Sequence, residues 1–207
     1  MPRIPDIPGL KELKAAFPDR VIHSKQYRTP DGYKGKNVLV IGGGVSSLDI
    51  CREIAETAAS IHQSVRGGEF DLVAAMLPPT TSRVGEVVEF HLEGGDSQLD
   101  DYSDNDSKPI PGWVTLADGT VLRDIHHVIL ATGYITSYPF LPHLQSDTLP
   151  ADSAGDELIV TSDGIVTHNL HQDIFYINEP TLAFVGVKYH GMSCIAKSIA
   201  CARNLAN

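Results

Sequence analysis

The chain has 207 residues, 42% hydrophobic and 20% charged, as in an ordinary soluble globular protein with room for one large domain or two small ones. A net charge of −10 and a pI near 5.2 disfavour nucleic acid or an anionic membrane surface as partner. No apolar run approaches the roughly 18 residues of a membrane helix, and nothing reads as a signal peptide. The cysteines Cys51, Cys194 and Cys201 show neither metal-ligand spacing nor an even-numbered framework, so reduced thiols in the cytoplasm are expected.

Residues 1–35 read as a lead-in. Pro2, Pro5 and Pro8 oppose regular structure, residues 11–17 suit a short helix, and Thr29-Pro30-Asp31-Gly32 is a turn. The organising stretch follows at residues 36–66. Residues 38–41 form a β-branched apolar run, predicted as a buried strand, and Gly42, Gly43 and Gly44 follow at once. Leu48, Cys51, Ile54 and Ala58 then recur at helical spacing, and residues 61–65 read as a second strand. Strand, glycine turn, helix and strand make the setting of a dinucleotide fingerprint. Gly42 would permit the tight turn, and Gly44 would let the backbone approach a pyrophosphate. The helix starting at Val45 and Ser46 would aim its unsatisfied N–H groups at that anion. Ser47 takes the sixth position of the pattern, where Gly is usual, which should loosen helix–strand packing slightly. The alternative is an ordinary glycine-rich βα turn.

The end of the second strand selects the nucleotide. An NAD site would place an acid there, but the chain reads Gln63-Ser64-Val65-Arg66 with no acid until Glu69. An arginine fork suits the 2′-phosphate of NADP, so NADPH is expected over NADH. A solvated surface arginine is the alternative.

Beyond this unit, residues 84–92 read as a strand and residues 93–108 as an acidic surface loop. The loop lacks the glycine-centred, glutamate-terminated pattern of a calcium site. Residues 113–116 and 121–122 flank a turn at Ala117-Asp118-Gly119-Thr120, a hairpin signal. Residues 126–130 form another buried strand, ending in the small residues Ala131-Thr132-Gly133, where packing and ligand contact are both open. Adjacent His126 and His127 face opposite sides of a strand and cannot chelate one metal. His168 and His171 lack a second ligand cluster, so no metal site is expected. Residues 136–180 are loop-rich, with strands predicted at 158–161 and 181–187 and a terminal helix from Gly191. No Ser/His/Asp arrangement, carboxylate pair or activated cysteine is legible. No tyrosine has a lysine four residues on, which sets aside a short-chain reductase.

Several of these segments, taken in order, resemble the flavin-containing monooxygenases. Phe17, His23, Tyr27 and Arg28 stand at the spacing of that family's identifying signature, with Asp19 where it usually has Gly. The block from Gly42 to Asp49 is similar to its second, NADPH-binding glycine motif. Ser64-Val65-Arg66 is similar to its NADP-phosphate contact, and residues 128–134 to the Ala-Thr-Gly strand linking its two nucleotide domains. The likeness runs over most of residues 5–190.

The resemblance implies an α/β chain. Its core would be a Rossmann-like three-layer NADPH-binding domain with a parallel sheet at residues 36–134, followed by a partial FAD-type domain at 135–207. It implies NADPH and FAD as cofactors and oxygenation of a nitrogen, sulfur or carbonyl centre in a small molecule. Gly42, Gly44 and Ser46, with neighbouring Val45 and Ser47, would meet the pyrophosphate. Ser64 and Arg66 would meet the 2′-phosphate, and Thr132 and Gly133 the crossing between domains. Only one fingerprint is present, so this chain is expected to supply the NADPH half. The flavin half would come from a partner chain or through homo-oligomerisation. A non-catalytic NADP-binding module or a truncated fragment is the alternative. The tail departs from the family, with Lys197 and Cys201 where Glu and Gln are usual.

Overall fold

The computed structural model describes residues 1–68, 71–94, 106–150, 155–162, 164, 166–186, 188–189 and 192–193. Residues 2–133 form one compact unit, and Met1 with the described residues from 134 on forms another.

The first unit is built on a five-stranded parallel sheet. Its strands are β1 (Val21–His23), β2 (Asn37–Ile41), β3 (Ser60–Ser64), β4 (Thr81–Val84) and β8 (His127–Leu130), in the order β1-β8-β2-β3-β4. A three-stranded antiparallel meander, β5 (Val87–Leu92), β6 (Gly112–Leu116) and β7 (Val121–Arg123), lies between β4 and β8 in the chain. The helices are α1 (Leu10–Ala16) and α2 (Val45–Ile54).

Strand alternation makes the layers. Val38, Val40, Ile61 and Ile129 meet Ile50, Cys51 and Ile54 of α2 on one face of the parallel sheet. Leu39, Ile41, Val128 and Leu130 point the other way, to Leu10 and Leu13 of α1 and to Phe90, Val114 and Leu116 of the meander. A sheet covered on both faces needs strands apolar at every position, which is why β2 reads as one continuous run. Three layers result, in the Rossmann-like α/β class.

Four segments differ in detail from their sequence reading. The lead-in contributes α1 and the edge strand β1 to this unit; β1 has three residues, too few to show a period. Residues 84–92 break at Gly85–Glu86 into β4 of the parallel sheet and β5 of the meander. Ser64 fixes the break: its hydroxyl donates to the Gly85 carbonyl (2.8 Å) and accepts from the Val87 N–H (3.2 Å). In the second unit, residues 158–161 give only a bridge between Val160 and Gln145, and residues 181–187 only one between Ala183 and Phe175. That unit has its own core, in which Leu144, Ile159, Tyr176 and Phe184 are buried. It also holds the short pairs β9 (Leu170–His171) with β10 (Phe175–Tyr176) and β11 (Lys188–Tyr189) with β12 (Met192–Ser193). The centre of the acidic loop at residues 95–105 lies outside the described residues, as does the helix expected from Gly191 apart from Met192 and Ser193, which pair as β12 instead.

Candidate functional site

From β2 the chain runs through α2 to β3 and on to β4 at one side, while β8 fills the other side of β2. The order therefore reverses between β2 and β8, and parallel α/β sheets bind ligands outside the carboxyl ends of strands at such a point. A cavity of about 540 Å³ opens there, within the first unit. Its wall includes Gly42, Gly44, Ser64, Arg66, Thr132 and Gly133, six of the nine positions singled out in the sequence.

The three glycines do different work. Gly42 has φ +133°, and a Cβ on it would stand 2.3 Å from the Ala131 carbonyl oxygen. It is the hinge by which β2 leaves the sheet against β8. A Cβ on Gly43 would stand 2.0 Å from Asp71 Oδ1, so that glycine makes room for a carboxylate on the following loop. Gly44 has nothing within 4 Å of where its Cβ would be. It is the N-cap of α2, and no side chain caps that helix. The orphan N–H groups of the first turn therefore end at open space, the arrangement that receives phosphate.

Val45 and Ser46 are exposed on that first turn and do not line the cavity. Ser47 points inward and is fully buried. Its hydroxyl accepts from Gln63 Nε2 (2.7 Å), and Gln63 Oε1 in turn accepts from Arg83 Nε (3.0 Å) and Nη2 (2.8 Å). Where the sequence predicts a loosened helix–strand contact, the serine fastens α2 to β3 and β4. Beside it, burial pushes the Cys51 thiol up to about 11, so it is inert at neutral pH.

Arg66 is exposed on the cavity wall just past β3, and no described residue pairs with it. Its fork is available to an anion. On the opposite wall the Thr132 hydroxyl donates to the Arg3 carbonyl, and the Arg3 N–H donates to the Gly133 carbonyl (3.0 Å). His23, 2% exposed, lies buried behind this wall. Its Nδ1 accepts from the Lys25 N–H (3.1 Å), which puts the ring proton on Nε2, 3.0 Å from the same Gly133 carbonyl. Burial lowers its pKa and keeps that tautomer neutral. Phe17 of the signature is core, and Tyr27 stacks on Tyr33 at 5.7 Å. Arg28 bonds the Lys25 and Tyr27 carbonyls, so the signature residues act as framework in this unit.

Arg3, Asp6, Asp71 and Glu86 also line the cavity and carry no sequence signal, because loops far apart in the chain bring them there. Among the described residues no three His, Cys, Asp or Glu side chains converge as a metal cluster. An uncapped helix start, a glycine with open space at its Cβ and an unpaired arginine fit a phosphorylated dinucleotide. The described residues offer one such cradle, so no residues are assigned to FAD.

Residues 1–76 match the family model described as flavin-binding monooxygenase-like. The chain is 43% identical over 190 residues to the flavin-containing monooxygenase ustF2 of Aspergillus flavus, covering 91% of this chain and 37% of that protein. It is 33% identical over 186 residues to the flavin-containing monooxygenase iboF of Amanita muscaria, covering 89% and 34%. Its fold is similar to that of a flavin-containing monooxygenase from Stenotrophomonas maltophilia, with a TM-score of 0.59 at 20% identity, over 99% of this chain and 58% of that one. The chain spans little more than a third of the length of the curated relatives it matches.

Proposed function

Because the chain belongs to the flavin-containing monooxygenase family, we propose that it binds NADPH in the cavity beyond β2, β3 and β8 and supplies the NADPH side of a monooxygenase. The observation that carries the reading is Gly44, an uncapped helix N-terminus with open space where a Cβ would be. The first-turn N–H groups of α2 hold the pyrophosphate, and Arg66 grips the 2′-phosphate through paired charge-assisted hydrogen bonds. Thr132 and Gly133, held by Arg3 and His23, set the opposite wall against which the nucleotide is oriented. Bound there, NADPH would supply a hydride for the FAD-dependent oxygenation of a small-molecule nitrogen, sulfur or carbonyl centre. The flavin half is built away from this cavity, with a partner chain or association of copies as its source.

Replacing Arg66 by Ala tests the assignment. NADPH should weaken by roughly 1.5–3 kcal/mol, the range for a hydrogen bond to a charged group, with NADH nearly untouched. Titration calorimetry with both nucleotides measures it; equal losses for the two would remove Arg66 from the 2′-phosphate.

A further inference from the structure

The carboxylate of Asp71 lies against the turn that the nucleotide reading assigns to pyrophosphate. An ideal Cβ on Gly43 would stand 2.0 Å from its Oδ1, 2.4 Å from its Cγ and 2.9 Å from its Cβ, so the whole acid group rests on the middle glycine. It is fixed there. Asp71 Oδ2 accepts from the Gly68 N–H (2.8 Å), the Asp71 N–H returns a bond to the Gly68 carbonyl (3.0 Å), and the Leu72 N–H donates to the Gly43 carbonyl (2.8 Å). One residue further on, α2 begins without a cap. A fixed negative charge thus sits beside the helix end that favours anions.

Resting on the NADPH reading above, we propose that Asp71 sets the affinity of this site by opposing the pyrophosphate. Its carboxylate shares the positive end of α2 with any incoming diphosphate, so each nucleotide binds against a like charge. The effect belongs to the diphosphate and not to the 2′-phosphate, which is the task of Arg66. Asp71 thereby lowers the affinity for NADPH and NADH by one common factor and leaves the choice between them to Arg66. Gly43 is required by the same arrangement, since any side chain there would evict the carboxylate.

The test is Asp71→Asn in the full chain, with NADPH, NADH and inorganic pyrophosphate titrated calorimetrically into both proteins. Asparagine keeps an oxygen for the Gly68 N–H and removes the charge. All three ligands should tighten together, by about five- to thirtyfold for a like charge removed at short range near a protein surface. Unchanged affinities would overturn the proposal while leaving the nucleotide site standing. Tightening of NADPH alone would also overturn it, by placing Asp71 at the 2′-phosphate. Failure of both proteins to bind any of the three would overturn the nucleotide reading, and this inference with it.

Discussion

Gly42 and Gly44 stand two residues apart in one motif, yet the structure separates their roles. Gly42 holds a positive φ and abuts the Ala131 carbonyl, so Gly42→Ala meets both backbone strain and a 2.3 Å clash. About 2–4 kcal/mol of destabilisation is expected, combining overpacking with strain. Gly44 has φ −87° and open space, so Gly44→Ala should change stability by less than about 0.5 kcal/mol. It should nonetheless weaken NADPH and NADH alike, because the methyl group enters the ligand's space. Denaturant melts and nucleotide titrations on both variants check the pair. A Gly44→Ala protein that unfolds easily, or binds nucleotide normally, would contradict the division. The motif was legible in the sequence because its chemistry is local. Ser47 shows the limit: its partner Gln63 is 16 residues on, and the pairing follows from how α2 crosses β3. Asp71 gave no signal at all, since only the folded path of its loop brings it to Gly43.

At the scale of elements, strands with apolar runs, or beside a glycine or turn signal, were readable, while β1 and β4 were not. β2 and β8 are buried on both faces, and their composition announces it. β1 has only Val21, Ile22 and His23, and β4 reads Thr-Ser-Arg-Val; each is recruited by its register against a neighbour. Such a sheet should respond to acid through β8. His127 is 8% exposed with Nε2 unpaired, and its ring meets Tyr33 edge-on at 5.1 Å. Burial, aided by the charge of Arg20, pushes its pKa down to about 4. The unfolded chain binds that proton near the ordinary 6.5, so folding stability is fully present above about pH 6.5 and is lost as pH falls toward 4. Protonation there should cost on the order of 2–3 kcal/mol. His127→Phe keeps a ring beside Tyr33 and should flatten the fall in melting temperature between pH 6.5 and 4. An unchanged slope would place the acid sensitivity elsewhere.

For the whole molecule, the phosphate cradle and the parallel sheet found among the described residues set what the first unit can hold. NADPH at about 100 times its dissociation constant should stabilise the fold by roughly 2.7 kcal/mol if it binds only the native state. Thermal melts would show this as a rise in midpoint, larger for NADPH than for NADH. The same protein, incubated with FAD and freed of unbound cofactor, is colourless if the flavin half comes from a partner chain. A retained band would mean that the chain, alone or as an oligomer, also builds a flavin site.

Four backbone carbonyls on the rim of the cavity are already engaged. The carbonyl of Ile41 already accepts from Ala131, that of Ser64 from Gly42, that of Gly43 from Leu72, and that of Gly133 from both Arg3 and His23. The start of α2, which no side chain caps, leaves N–H groups open to a visitor. At that spot the main chain favours an anion, against the nearby carboxylate of Asp71. Reversing charges on surface side chains will tune its strength, but the polarity of the opening persists as long as the strands stay paired.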